Sequence, residues 1–237
     1  MLTQEELAGE IYHTRIPRIP NYRPVSLLPA LSKILEKAIC QQLMAYFQKY
    51  NLLCSHQYGF RAKNQTTHVV HSMLNSISKN MTEGRCTIAS FIDLSKAFDC
   101  LQYDKLFTKM RYIGFTDNTV KWFQDCLTNR QQVVDVDSTV SDPMQLGVPQ
   151  GSVLGPILFL IYVNDINNCD NTTEFVKFAD DTTIITTGAS LQEATDKMNA
   201  SLDRVAKWFL CNKLNLNPSK TRYIIFNSNT NLSLIHI

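Results

Sequence analysis

With 237 residues, 44% of them apolar and 19% charged, the chain has the balance of a folded globular protein and excludes a disordered one; the length allows one large domain or two small ones. A net charge of +2 excludes any argument for nucleic-acid binding from overall basicity, although residues 1–120 carry 14 Lys/Arg against 9 Asp/Glu (net +5) and residues 121–237 carry 9 against 12 (net −3). That split would suit a basic nucleic-acid cradle facing an acidic, metal-binding half, and solvated faces explain it equally well.

Taken in chain order, Leu27 to Leu53 places Leu31, Ile34, Leu35, Ala38, Ile39, Leu43 and Phe47 at helical spacing, and Val69 to Ile77 predicts a second helix. A strand over 87–92 follows, then helices over 103–113 and 117–128, the latter opened by Thr116-Asp117 as an N-cap. Gln131 to Val136 and Met144 to Val148 read as a hairpin around Ser138 to Pro143. Ser152 to Asn167 reads as a helix apolar all round, hence buried. Strands over 174–179 and 182–187 flank an Asp pair. Ser190-Leu191-Gln192-Glu193 is a capping box for a helix reaching about Asn212, and Tyr223 to Phe226 is a last strand. The pattern predicts an α/β (α+β) fold, a small antiparallel sheet backed by long helices.

The seven cysteines are scattered, odd in number and never spaced Cys-x-x-Cys, which argues against zinc and a disulfide framework and fits a reducing compartment. The longest apolar run, Val153 to Val163, is too short to span a bilayer, and Met1 to Glu10 is no signal peptide. The expectation is an intracellular protein, nuclear or cytoplasmic, with no membrane partner.

Chemistry concentrates at Phe178-Ala179-Asp180-Asp181, which reads as strand, tight turn, strand, with both acids at the hairpin tip. Asp93 ends the strand Thr87 to Ile92; if the two strand ends met, their carboxylates would make a two-metal phosphoryl-transfer site. Asp is also common in turns, and the pair alone is readable as no more than a turn. Gly147-Val148-Pro149-Gln150-Gly151-Ser152 is a Gly-rich loop opening a helix, able to hold a nucleotide or template base near its backbone, or an ordinary turn. Lys220, in the polar turn Asn215 to Lys220, could reach a leaving pyrophosphate or be a solvated surface charge.

The ordered set Tyr22-Arg23-Pro24-Val25-Ser26-Leu27, Gln57-Tyr58-Gly59-Phe60-Arg61, Phe91 to Asp99, Gly147 to Pro156 and Phe178 to Asp181 closely resembles reverse transcriptases, within them the non-LTR retrotransposon (LINE, jockey-like) branch, over roughly residues 20 to 227. The resemblance implies a polymerase right-hand fold: fingers over about 20–86, and a palm over about 87–227 with the 117–172 stretch packed beside it. The 1–19 segment matches poorly. It implies an RNA-directed DNA polymerase that transfers a nucleotide from dNTP to a DNA primer 3′-OH on an RNA template, with two Mg²⁺ ions or Mn²⁺ as substitute. Asp93 and Asp180 match the metal-binding catalytic aspartates, with the Leu94 carbonyl as a further ligand and Asp181 as a supporting charge. Phe98 falls at the steric gate against a 2′-OH, Arg23 at the triphosphate, Gln150 beside the incoming nucleotide and Lys220 at the pyrophosphate proton donor. Arg61 and Lys63 would touch template or nucleotide.

Departures from that pattern set further expectations. Ile16-Pro17-Arg18-Ile19-Pro20 stands where the family shows a lysine facing the triphosphate, so that contact is expected to be missing or replaced by Arg15 or Arg18. After Phe226 neither a primer-grip strand nor a helical thumb is expected. Leu232 to Ile237 resembles a translated sequencing adaptor, so residues 228–237 are expected to be an artefactual tail outside the fold. A rival expectation is a truncated, non-catalytic remnant that folds and binds nucleic acid weakly.

Overall fold

The computed structural model describes residues 26–61, 64–128, 130, 133, 135–136, 139–140, 142, 147–227 and 233–236. Arg23, Lys63, the 16–20 segment and most of the tail lie outside them. In chain order the elements are α1 (Ala30–Tyr50), α2 (Thr66–Thr82), β1 (Cys86–Ile92), β2 (Leu94–Ser95), α3 (Tyr103–Tyr112) and α4 (Asp117–Thr128). The short β3 (Asp135–Val136) and β4 (Thr139–Val140) precede α5 (Gly155–Val163), a 3₁₀ turn (Ile166–Cys169), β5 (Glu174–Phe178) and β6 (Asp181–Gly188). The chain then runs through α6 (Leu191–Cys211), β7 (Asn215–Leu216), β8 (Arg222–Phe226) and β9 (Ser233–His236).

The main sheet runs β5-β6-β1-β8-β9, every neighbouring pair antiparallel. Strand period two gives it two apolar faces. Ile88 and Ile92 of β1, Phe175 of β5 and Ile184 of β6 look into the main core under α6. Ala89, Val176 and Ile185 look the other way, where Val69 and Met73 of α2 cover them. The helix α5 fills the middle of the main core: from Ile157 to Val163 every residue is buried. A helix apolar on all sides has to be central, and replacing its Phe159 with Ala would cost about 3–5 kcal/mol.

The caps act as the sequence predicts. The Ser190 hydroxyl accepts from the Glu193 N–H at 3.2 Å, and the Glu193 carboxylate reaches back to the Ala189 N–H at 2.8 Å. Thr116 Oγ1 accepts from the Thr119 N–H at the start of α4.

Four sequence expectations change. The helix expected over 152–167 stops at Val163 and resumes as the 3₁₀ turn, and at the break the Asn164 side chain bonds the Cys54 N–H and the Leu52 carbonyl. Of the hairpin expected over 131–136 and 144–148, residues 131–132, 134 and 144–146 lie outside the described residues; β3 pairs with β4, which lies inside the expected loop, and Gly147 and Val148 form no strand and donate their N–H groups to Asp99 and Phe98. Strand β9, in the tail set outside the fold, pairs along β8. Leu31, Ile34 and Leu35 of α1 are exposed, so α1 reaches the core only through its second half, at Leu43 and Phe47.

Candidate active site

The hairpin between β5 and β6 closes on two residues. Phe178 pairs with Asp181, so the turn is Ala179-Asp180 and Asp181 is already the first residue of β6. Both acids were expected at the tip; only Asp180 is there. The tight turn needs a positive φ, and Ala179 supplies it at +60°. That conformation costs an alanine roughly 1–2 kcal/mol, so the surroundings must hold it. Part of the support is a strand-like segment outside β5: Gln57 forms a parallel bridge with Lys177, through Lys177 N–H to His56 O and Tyr58 N–H to Lys177 O, both 2.9 Å. Gly59 then presses on the turn so closely that a Cβ there would lie 2.1 Å from the Ala179 nitrogen.

Asp93 arrives from the next strand. Ile92 pairs with Thr182, so the following register position sets Asp93 across from Asp181. Both line one cleft of about 400 Å³, with Lys220 on its rim and Phe91, Val176 and Phe178 among its walls. Asp180 is half-buried in the adjoining turn and does not line the cleft. Among the described residues no three His, Cys, Asp or Glu side chains converge as one metal-binding group. The oxygen chemistry still fits a hard divalent cation, which commonly takes one or two carboxylates and keeps several waters. Leu94, buried, begins β2 opposite Leu216.

Asn217 holds Asp93 from the turn that carries Lys220. Its side-chain amide donates to Asp93 Oδ2 and its backbone N–H to Asp93 O, both at 2.9 Å. Thr221 Oγ1 accepts from the Asp93 N–H at 3.4 Å, and Ser219 donates to Asn217 Oδ1 at 2.7 Å, fixing the amide's orientation. The sequence singles out this turn for Lys220 alone; its Asn-Pro-Ser composition was the available signal for a side chain bonded to backbone.

The Gly-rich loop lies against the residues after Asp93. The Val148 N–H donates to Phe98 O at 3.1 Å, and a Cβ on Gly147 would fall 2.1 Å from that same oxygen. The Phe98 ring tilts on Phe159 at 4.9 Å. Gln150 is half-buried, its carbonyl held by the Ser26 N–H at 2.8 Å. Phe98 thus meets the backbone of the loop that carries Gln150, whereas Asp93, Asp181 and Lys220 share the cleft. Arg61 is turned inward, donating to the Cys54 and Gln57 carbonyls at 3.2 and 3.3 Å, so its guanidinium closes its own loop.

Glu36, 3% exposed on α1, carries no sequence signal as a site residue. One carboxylate oxygen accepts from the Val153 and Leu154 N–H groups at the start of α5, and the other meets Arg130 at 3.3 Å. A carboxylate at a helix N-terminus is stabilising, and here it ties α1 to the loop carrying Gln150.

The family described as "Reverse transcriptase (RNA-dependent DNA polymerase)" matches residues 16–232. The "RNA-directed DNA polymerase from mobile element jockey" of Drosophila melanogaster is 29% identical over 90% of this chain and 24% of its own length. The "Probable RNA-directed DNA polymerase from transposon BS" of the same species is 32% identical over 85% and 23%. The chain thus spans about a quarter of the length of these relatives. Among solved structures, telomerase from Candida tropicalis with a fragment of telomeric RNA superposes with a TM-score of 0.61 at 13% identity, over 97% of this chain and 36% of that one. Telomerase from Candida albicans gives 0.59 at 13% identity, over 100% and 40%. These structures share the right-hand polymerase fold. With a family match running through nearly all the described residues and a sheet that sets Asp93 against Asp181, the chain belongs to the reverse transcriptase family.

Proposed function

We propose that this chain is the fingers and palm of an RNA-directed DNA polymerase of the non-LTR retrotransposon type, extending a DNA primer with dNTP on an RNA template. The observation that carries the reading is the register of β1 and β6, which sets Asp93 across from Asp181 in one cleft with Lys220, next to the turn holding Asp180. Asp93 and Asp180, with the Leu94 carbonyl, would hold two Mg²⁺, or Mn²⁺ in their place, and Asp181 would add charge. The chemistry such ions would supply when bound is activation of the attacking hydroxyl and neutralisation of the leaving oxygen. Asn217 keeps the Asp93 carboxylate aimed, and Lys220, exposed on the rim, supplies a proton to the leaving pyrophosphate. Phe98, braced on Phe159, crowds the 2′ position of the incoming sugar, while Gln150 lies beside its base. Arg23 belongs at the triphosphate and Lys63 on the template side, while Arg61, bonded to the Cys54 and Gln57 carbonyls, shapes the loop beside them rather than touching template. The template sequence is read by base pairing, so protein contacts to shape and backbone suffice.

Extension of oligo(dT) on poly(rA) with Mg²⁺ tests the reading. Asp93→Asn and Asp180→Asn should each lower the rate by about 10³-fold or more, with unchanged circular dichroism, and Asp181→Asn should lower it less. Near-normal extension by either of the first two would remove the assignment. A folded wild-type chain that binds the ion without extending would favour the non-catalytic remnant.

A further inference from the structure

We propose that Gln57 is a positioning residue for the turn that carries Asp180, an inference that rests on the polymerase reading above. Gln57 is only 2% exposed, and its side-chain amide is bonded at both ends. Oε1 accepts from the Gly59 N–H at 2.9 Å and from the Ala179 N–H at 3.2 Å, while Nε2 donates to the Ala179 carbonyl at 3.4 Å. Two converging N–H groups demand an acceptor and a carbonyl demands a donor, so the orientation of the amide is fixed by its partners.

These bonds grip both polar atoms of the residue whose φ is +60°. A left-handed alanine persists only where its surroundings over-determine it, and Gln57 is the side chain that supplies the constraint. Gly59 lets the clamp approach, since any Cβ there would collide with the Ala179 nitrogen. Asp180 follows Ala179 by one peptide bond, so rotation about Ala179 swings the Asp180 carboxylate directly. Metal constellations work when held within about 0.5 Å. Gln57, 122 residues away along the chain, therefore sets the aim of one catalytic carboxylate from the fingers side.

Mn²⁺ binding by the full chain, read from the free-ion EPR signal without nucleic acid, tests this apart from catalysis. Gln57→Met keeps the length of the side chain and removes both polar ends. It should weaken Mn²⁺ binding about 10–100-fold and shift the Mg²⁺ dependence of primer extension upward by a similar factor. Gln57→Met/Ala179→Gly should recover most of that affinity, because glycine adopts positive φ unaided; a packing role for Gln57 would not respond to glycine at 179. Binding by Gln57→Met within twofold of wild type, or no recovery in the double variant, overturns the inference. Should Gln57→Met fail to fold, Gln57→Glu keeps the two-N–H acceptor but sets an acceptor oxygen against the Ala179 carbonyl, so it is expected to weaken Mn²⁺ binding and to regain it with Ala179→Gly; a folded Gln57→Glu within twofold of wild type, or one that Ala179→Gly does not rescue, overturns the inference. A wild type whose Mn²⁺ binding is absent, or indifferent to Asp93→Asn, instead removes the polymerase reading and this inference with it.

Discussion

Asn217 meets Asp93 with both its amide and its backbone N–H, so the carboxylate has few orientations left before any ion arrives. Groups that orient a metal ligand are worth about as much to affinity as ten- to a hundredfold. Asn217→Leu should accordingly raise the Mg²⁺ concentration for half-maximal primer extension by about tenfold or more and lower the saturated rate, with little change in KM for dNTP. An unchanged Mg²⁺ dependence would make Asn217 only a turn former. Lys109 shows the contrasting, purely structural use of a polar group. Its ammonium bonds the Tyr162 carbonyl and Asp165 at 2.6 Å and lies 4.6 Å over the Trp208 ring, and burial pulls its pKa down. Burial likewise pushes the neighbouring Tyr162 phenol up to about 12.

At the scale of elements, the loop before α5 is fixed from two sides, by Glu36 at its helix end and by Phe98 and Asp99 at its glycine end. Gly147→Ala would put a methyl group 2.1 Å from the Phe98 carbonyl, so loop and Phe98 must separate. A displacement of about 1 Å at a positioning element can cost about a hundredfold in rate. The expected result is slower extension together with a smaller preference for dNTP over rNTP in kcat/KM, since the Phe98 ring moves with its backbone; an unaltered preference would detach Phe98 from sugar selection. The long elements were legible because their periodicity is local: α3, α4 and α6 begin and end within a residue or two of the spacing. The strand expected to end at Val148 was misread because short strands have no periodicity to measure, and the N–H groups of Gly147 and Val148 are satisfied by Asp99 and Phe98, far off in sequence. The same holds at the site. The strand-end Asp93 and the hairpin acids have local signatures, whereas Gln57, Glu36 and Asn217 act through bonds spanning more than a hundred residues.

For the whole molecule, the sheet separates a large core under α6 from a small one under α2, and stability concentrates on the larger. Asp170, 3% exposed, ties the start of β5 to α6 there: it accepts from the Thr172 N–H and hydroxyl at 2.9 and 2.6 Å and from Arg204 at 3.0 Å. Burial alone would raise its pKa, but the bonds from Thr172, Ser201 and Arg204 outweigh it and hold the carboxyl at about 2. An Asp whose folded pKa lies below the unfolded value of about 3.9 stabilises the fold above that value and loses the contribution as pH falls towards about 2. Asp170→Asn should therefore lower stability by about 1–3 kcal/mol at neutral pH, a fall in Tm of about 2–12 °C for a domain of this size. The gap between variant and wild type should stay constant down to about pH 5 and close between about pH 4 and pH 2. Thermal melts of both proteins across that range decide it. A gap that persists unchanged at about pH 2 would mean that the shape of the side chain, and not its charge, holds β5 to α6.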